Sequence, residues 1–155
     1  MIARSINHHA PQRGFTLVEA LIAVLVLSIG LLGVAGLQLS SLRGNSDAAR
    51  RSQATFLAYD IADRMRANRD SALAGEYDIA LATATPAAGG ATLSQRDLNE
   101  WRTSIVATLP SGATPATGEI SRLAGGEQFQ ITVRWFEGTQ AGAPTAMQFV
   151  TRTDI

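Results

Sequence analysis

Residues 13–42 read RGFTLVEALIAVLVLSIGLLGVAGLQLSSL, and between Ala20 and Leu42 no side chain is ionisable. A bilayer hydrocarbon core of about 30 Å needs roughly 20 helical residues to cross it. The run 15–37, with Glu19 as its single charge, is long enough. A cleaved secretory signal has a shorter apolar stretch, of about 7–15 residues, followed by a small-residue cleavage site. A plain signal anchor fits the length but gives Glu19 no purpose. A carboxylate at the centre of a membrane helix costs about 2.5–3.5 kcal/mol, which makes it a functional candidate. One turn from the helix start it also reaches the headgroups at little cost. On position alone both readings stand.

The apolar run explains the composition. The chain has 155 residues, 46% hydrophobic and 17% charged, against about 25% charged in an ordinary globular domain. Thirteen basic residues, all Arg, balance thirteen acidic ones, so no net field favours nucleic acid or anionic lipid. Cysteine and lysine are absent, and the two histidines, His8 and His9, both precede the apolar run. From residue 15 onward the chain therefore lacks the groups for Ser-His-Asp or Cys-His nucleophile activation, for Schiff-base chemistry and for the usual zinc ligand sets. The expectation is a protein that is not an enzyme, with no cofactor and no metal.

Downstream of the membrane-length run the helical pattern continues to about residue 68. Leu57, Ile61 and Met65 recur every four residues, flanked by Ala54, Ala58 and Ala62, and form one apolar stripe. The opposite face offers Asp47 with Arg51, Asp60 with Arg64 and Arg66 with Asp70, each pair worth about 0.2–0.5 kcal/mol. Arg43, Arg50, Arg51, Arg64, Arg66 and Arg69 make this half locally basic. Acids are interleaved and no aromatic-basic pattern accompanies them, so a solvated, salt-paired face is expected rather than a nucleic-acid surface. Asp60 and Asp63 are read as partners of these arginines, not as an acid/base pair.

Residues 71–92 are rich in Ala, Thr, Gly and Pro and read as an exposed connection. A second helix follows, with Ser94 and Asp97 as a capping box, Leu98, Trp101, Ile105 and Leu109 as its apolar face, and Pro110 as its stop. Strands are expected at 118–123, 128–136 and 146–153, with 138–145 as a hairpin loop; Phe129, Ile131, Val133 and Trp135 alternate with polar residues. The expected fold is α+β: a long amino-terminal helix, hydrophobic then amphipathic, packed on a small head with a short second helix and an antiparallel sheet. Gly30, Gly33 and Gly36 interrupt the apolar run at a spacing of three, which is not the Gly-x-x-x-Gly contact pattern. They read either as sites of close helix packing or as a weak point where the helix bends or unwinds.

The string Arg13-Gly14-Phe15-Thr16-Leu17-Val18-Glu19-Ala20-Leu21 resembles the leader junction of type IV prepilins and type II secretion pseudopilins. The runs SIGLLGVAGLQLSSLR (28–43) and RSQATFLAYDIADRMRAN (51–68) resemble the type IV pilus minor pilins, and among them the modification proteins of the PilV kind. DLNEWRTSIVATLP (97–110) and ITVRWFE (131–137) are similar to their later segments. This resemblance implies a type IV pilin-like fold divided into a leader (1–14), a transmembrane and filament-core helix (15–42) and a periplasmic head (43–155). It implies cleavage by a prepilin peptidase after Gly14, N-methylation of the new terminus at Phe15, and Glu19 as the assembly carboxylate. Gly33 and Gly36 become candidate helix-melting positions, because many major pilins resemble each other in carrying a helix-breaking proline near Gly36. The implied partners are other minor pilins, the major pilin, the inner-membrane assembly platform and a tip adhesin. The implied location is the bacterial inner membrane, single-pass with the start in the cytoplasm, and then the pilus fibre or tip. The implied role is priming of pilus assembly, with a link to cell adhesion and twitching motility. The alternatives are a type II secretion minor pseudopilin and, more distantly, a membrane-anchored enzyme or sensor.

Overall fold

The computed structural model describes residues 15–112, 114–140 and 143–155. The element order is α1 (Leu17–Ala67), α2 (Arg69–Leu73), α3 (Leu93–Thr108), β1 (Thr117–Arg122), β2 (Gln128–Gln140) and β3 (Ala143–Asp154). The chain divides into two compact units at Arg43/Gly44. The described part of the first is the apolar portion of α1, every residue of which is exposed.

The second unit, Gly44–Ile155, holds the core. Its share of α1 buries Ala54, Ala58, Ile61, Ala62 and Met65, the stripe that the four-residue spacing predicts. Small alanines between larger residues allow close approach to α1, and Trp101 of α3 uses it. Its ring is fully buried, and its Nε1–H donates to the Leu57 carbonyl at 2.8 Å. Leu98, Ile105 and Leu109 are buried on the same side of the chain, as the apolar spacing requires.

The three strands form an antiparallel meander in the order β1-β2-β3. Ile120 sits opposite Ile131, Val133 opposite Phe149, and Trp135 opposite Met147. Phe129, Ile131, Val133 and Trp135 are essentially fully buried while Met147 and Phe149 pack half-buried beside them; the period of two expected for β2 is present. Strands β2 and β3 run further than the sequence suggests. Pairing continues to Gln140↔Ala143, past an irregularity at Glu137/Thr139 where Gly138 takes a φ of +27°. A bulge thus carries the ladder through most of the stretch read as a loop. Residues 141 and 142 lie outside the described residues.

Two expectations need correction. The 71–92 segment is not all exposed connection: Tyr77 and Ile79 are buried, and Ile79 forms a two-bond antiparallel bridge with Ile120 on the free edge of β1. Ser94 does not cap α3 either. Thr92 is the N-cap, accepting from the Gln95 amide at 3.3 Å, while Gln95 Oε1 accepts from the Ala91 amide at 2.9 Å. Thr-x-x-Gln fits the reciprocal capping pattern better than Ser-x-x-Asp, whose shorter acid does not reach back. Ser94 instead donates to Glu76, and Asp97 accepts from the Tyr77 hydroxyl.

Candidate assembly segment at the amino terminus

Phe15 and Thr16 precede the first turn of α1. Thr16 caps that turn: its hydroxyl accepts from the Glu19 amide at 3.2 Å, and its carbonyl accepts from the Ala20 amide at 3.2 Å. Glu19 is therefore the third helical residue, in the first turn, where unpaired amides and the helix dipole favour a carboxylate. Thr16-x-x-Glu19 carries the spacing of a capping box. Among the described residues the Glu19 carboxylate has no hydrogen-bond or ion-pair partner. Gly14, the other half of the expected cleavage junction, lies outside the described residues.

From Leu17 onward α1 presents its aliphatic side chains outward, including Leu17, Leu25, Leu32 and Leu37, and its most apolar window of 18 residues reaches a mean hydropathy of 2.7 with none of it buried. Ser28, a hydroxyl in the middle of this run, donates to the Val24 carbonyl at 2.7 Å. That bond removes the cost of placing the group in hydrocarbon. Helix α1 passes unbroken through Gly30, Gly33 and Gly36, and a Cβ built at any of them meets nothing within 4 Å. Among the described residues no contact requires glycine there.

Farther along, the arginines are paired, but not all with the expected partners. Asp60 holds Arg64 at 3.1 Å as expected. Asp47 pairs with Arg50 rather than Arg51, and Arg66 pairs with Asp63 rather than Asp70. Three- and four-residue spacings are both neighbours on a helix, so sequence leaves this choice open. Arg64 also reaches Glu100 at 2.8 Å and Asp97 at 3.4 Å on α3, and the Glu100 contact leads in raising its pKa. Arg69 reaches Glu127 at 3.3 Å. Asp60 and Asp63 each hold an arginine, as expected. Among the described residues no cluster of His, Cys, Asp or Glu is arranged to hold a metal.

Residues 9–35 match the model of the prokaryotic N-terminal methylation motif, and residues 36–93 match that of type IV pilin Tt1218. The two matches adjoin and together run from before the junction through α1, α2 and the connection to the first residue of α3. The chain belongs to the type IV pilins. No curated protein and no solved structure matches it. The first match covers Gly14, Phe15, Glu19, Gly30 and Gly33 of this pilin, and the second begins at Gly36. Its long apolar helix, short second helix and three-stranded antiparallel sheet are the type IV pilin-like α+β arrangement that the sequence leads one to expect. The prepilin motif brings with it processing by a prepilin peptidase and a pilus context, and the apolar helix fits a membrane-anchored pilin. Family membership points to a structural pilus protein rather than an enzyme.

Proposed function

We propose that this pilin is a minor pilin of the PilV kind, divided into a leader (1–14), a membrane and filament-core helix (15–42) and a periplasmic head (43–155). Prepilin peptidase cuts after Gly14 on the cytoplasmic side, and Phe15 becomes the methylated terminus. The protein waits in the inner membrane until the assembly platform passes it into a short complex with other minor pilins. That complex primes polymerisation of the major pilin and stays at the tip, where it presents an adhesin and so serves adhesion and twitching motility.

The observation that carries this reading is the placement of Glu19. It is the only ionisable side chain between Phe15 and Leu42, it stands in the first turn of α1, and no described residue pairs with it. Cleavage creates an ammonium at Phe15, four residues from Glu19 and available to the carboxylate of another subunit. Each charge is expensive alone in an apolar bundle. Paired and hydrogen-bonded across subunits, they offset much of that cost, and the pair acts chiefly as a register device.

Glu19→Ala tests the role. The variant is expected to insert in the membrane and be processed normally, yet to be missing from sheared pili when fractions are probed by immunoblot. Incorporation at the wild-type level removes Glu19 from the mechanism.

A further inference from the structure

On the second unit, residues 81–85, the Arg102 and Val106 turn of α3, the 114–117 segment and Arg134 of β2 enclose a cleft of about 520 Å³. This lies in the range of roughly 300–1,000 Å³ typical of small-molecule sites. Its charged residues are both arginines and no carboxylate lines it. Arg102 is only 1% exposed and donates to the carbonyls of Ala80, Thr83 and Gly118. Those bonds hold its N–H groups; burial lowers its pKa, and the Glu119 carboxylate works against that shift. Arg134 has no ion pair among the described residues, and its Nε is buried without a hydrogen-bond partner. A buried donor left unmade carries its full desolvation cost, and the unpaired Arg134 cation beside low-dielectric walls attracts an anion.

The rest of the wall narrows the class of anion. Four lining residues, Thr83, Thr85, Thr114 and Thr117, carry hydroxyls, which both donate and accept and so suit a polyol. Val106 and Pro115 add apolar surface. An inorganic anion would occupy a small part of the cleft and leave the apolar surface unused.

We propose that this cleft binds a sugar acid, a pyranose bearing a carboxylate, with the carboxylate on the free guanidinium of Arg134 and the ring between the threonines and the Val106–Pro115 wall. The planar guanidinium fork matches a carboxylate in a bidentate manner. Arg102, already held by three carbonyls, contributes charge and fixes the 80–83 segment that forms one wall. The proposal is independent of the assembly role of Glu19.

Titration of the full-length protein in detergent micelles with glucuronate and galacturonate, followed by NMR shifts, tests it. Saturable binding of a uronate in the millimolar range is expected, with glucose and acetate each about tenfold weaker or more, and with Arg134→Gln about tenfold weaker at an unchanged melting temperature. Arg134→Lys retains part of the affinity. Should Arg134→Gln fail to fold, Thr85→Ala on the exposed loop serves instead and is expected to weaken binding. The proposal is overturned if neither uronate binds, if acetate binds as well as the uronates, or if the folded variants bind like wild type.

Discussion

Arg102 stands four residues after Leu98 and three before Ile105, on the buried stripe of α3 that also holds Trp101. The helical wheel alone places it inward; residue type argues outward, because arginine is seldom fully buried without partners. Geometry prevails since three carbonyls lie within its reach, and two of them, those of Ala80 and Thr83, come from a segment whose composition hides its role. Tyr77 is a similar case. Its hydroxyl lies buried between Asn68 and Asp97, and burial first, then the bond to Asp97, pushes its pKa up from 10.0 to about 12. A raised folded-state value means that the stability it contributes is complete below pH 10 and fades as pH climbs toward 12. Unfolding of the full chain in detergent across pH 8–12 is expected to show this loss, and Tyr77→Phe to flatten it; a parallel slope in both proteins contradicts the assignment. Gly118 answers to sterics: a Cβ there would sit 2.2 Å from Trp101 Cη2. Gly118→Ala is expected to lower stability by about 1–3 kcal/mol in denaturant titration, by overpacking around a ring tied to α1; no change would mean that Trp101 has room to shift.

At the level of elements, α1 and β2 were legible because each carries one uninterrupted period over many residues, 3.6 in Ala54–Met65 and two in Phe129–Trp135. The start of α3 was not, since two hydroxyl residues two apart compete for the cap and only the reach of Gln95 decides between them. Gly and Pro content makes 138–145 read as a loop, whereas a bulge at Gly138 absorbs the irregularity and pairing resumes. The glycines of α1 pose a different question, because nothing among the described residues needs them small. Interior glycine weakens a helix by about 0.8–1.0 kcal/mol relative to alanine, and we propose that Gly33 and Gly36 together let this segment unwind on entering a filament. Gly33→Ala/Gly36→Ala is expected to leave membrane insertion and the fold of the head intact while reducing recovery in sheared pili. Undiminished recovery would assign those glycines to packing.

For the molecule as a whole, the division at Arg43/Gly44 separates two environments. One unit offers an uncovered apolar helix with a single carboxylate near its start; the other closes its own core from α1, α3 and the sheet. The first was readable from charge alone, because a run of that length without an ionisable group has few uses outside lipid or a helical bundle. The candidate junction was readable from one string, Arg13 to Leu21, while the proposed role of Glu19 depends on a neighbour that no single chain contains. In the proposed function, processing at Gly14 and Phe15 links junction and carboxylate, since without it no ammonium exists beside Glu19. Mass spectrometry of the amino terminus of molecules recovered from pili tests this most directly. The account predicts a chain beginning at N-methylated Phe15; filament-incorporated molecules that still begin at Met1 would contradict it.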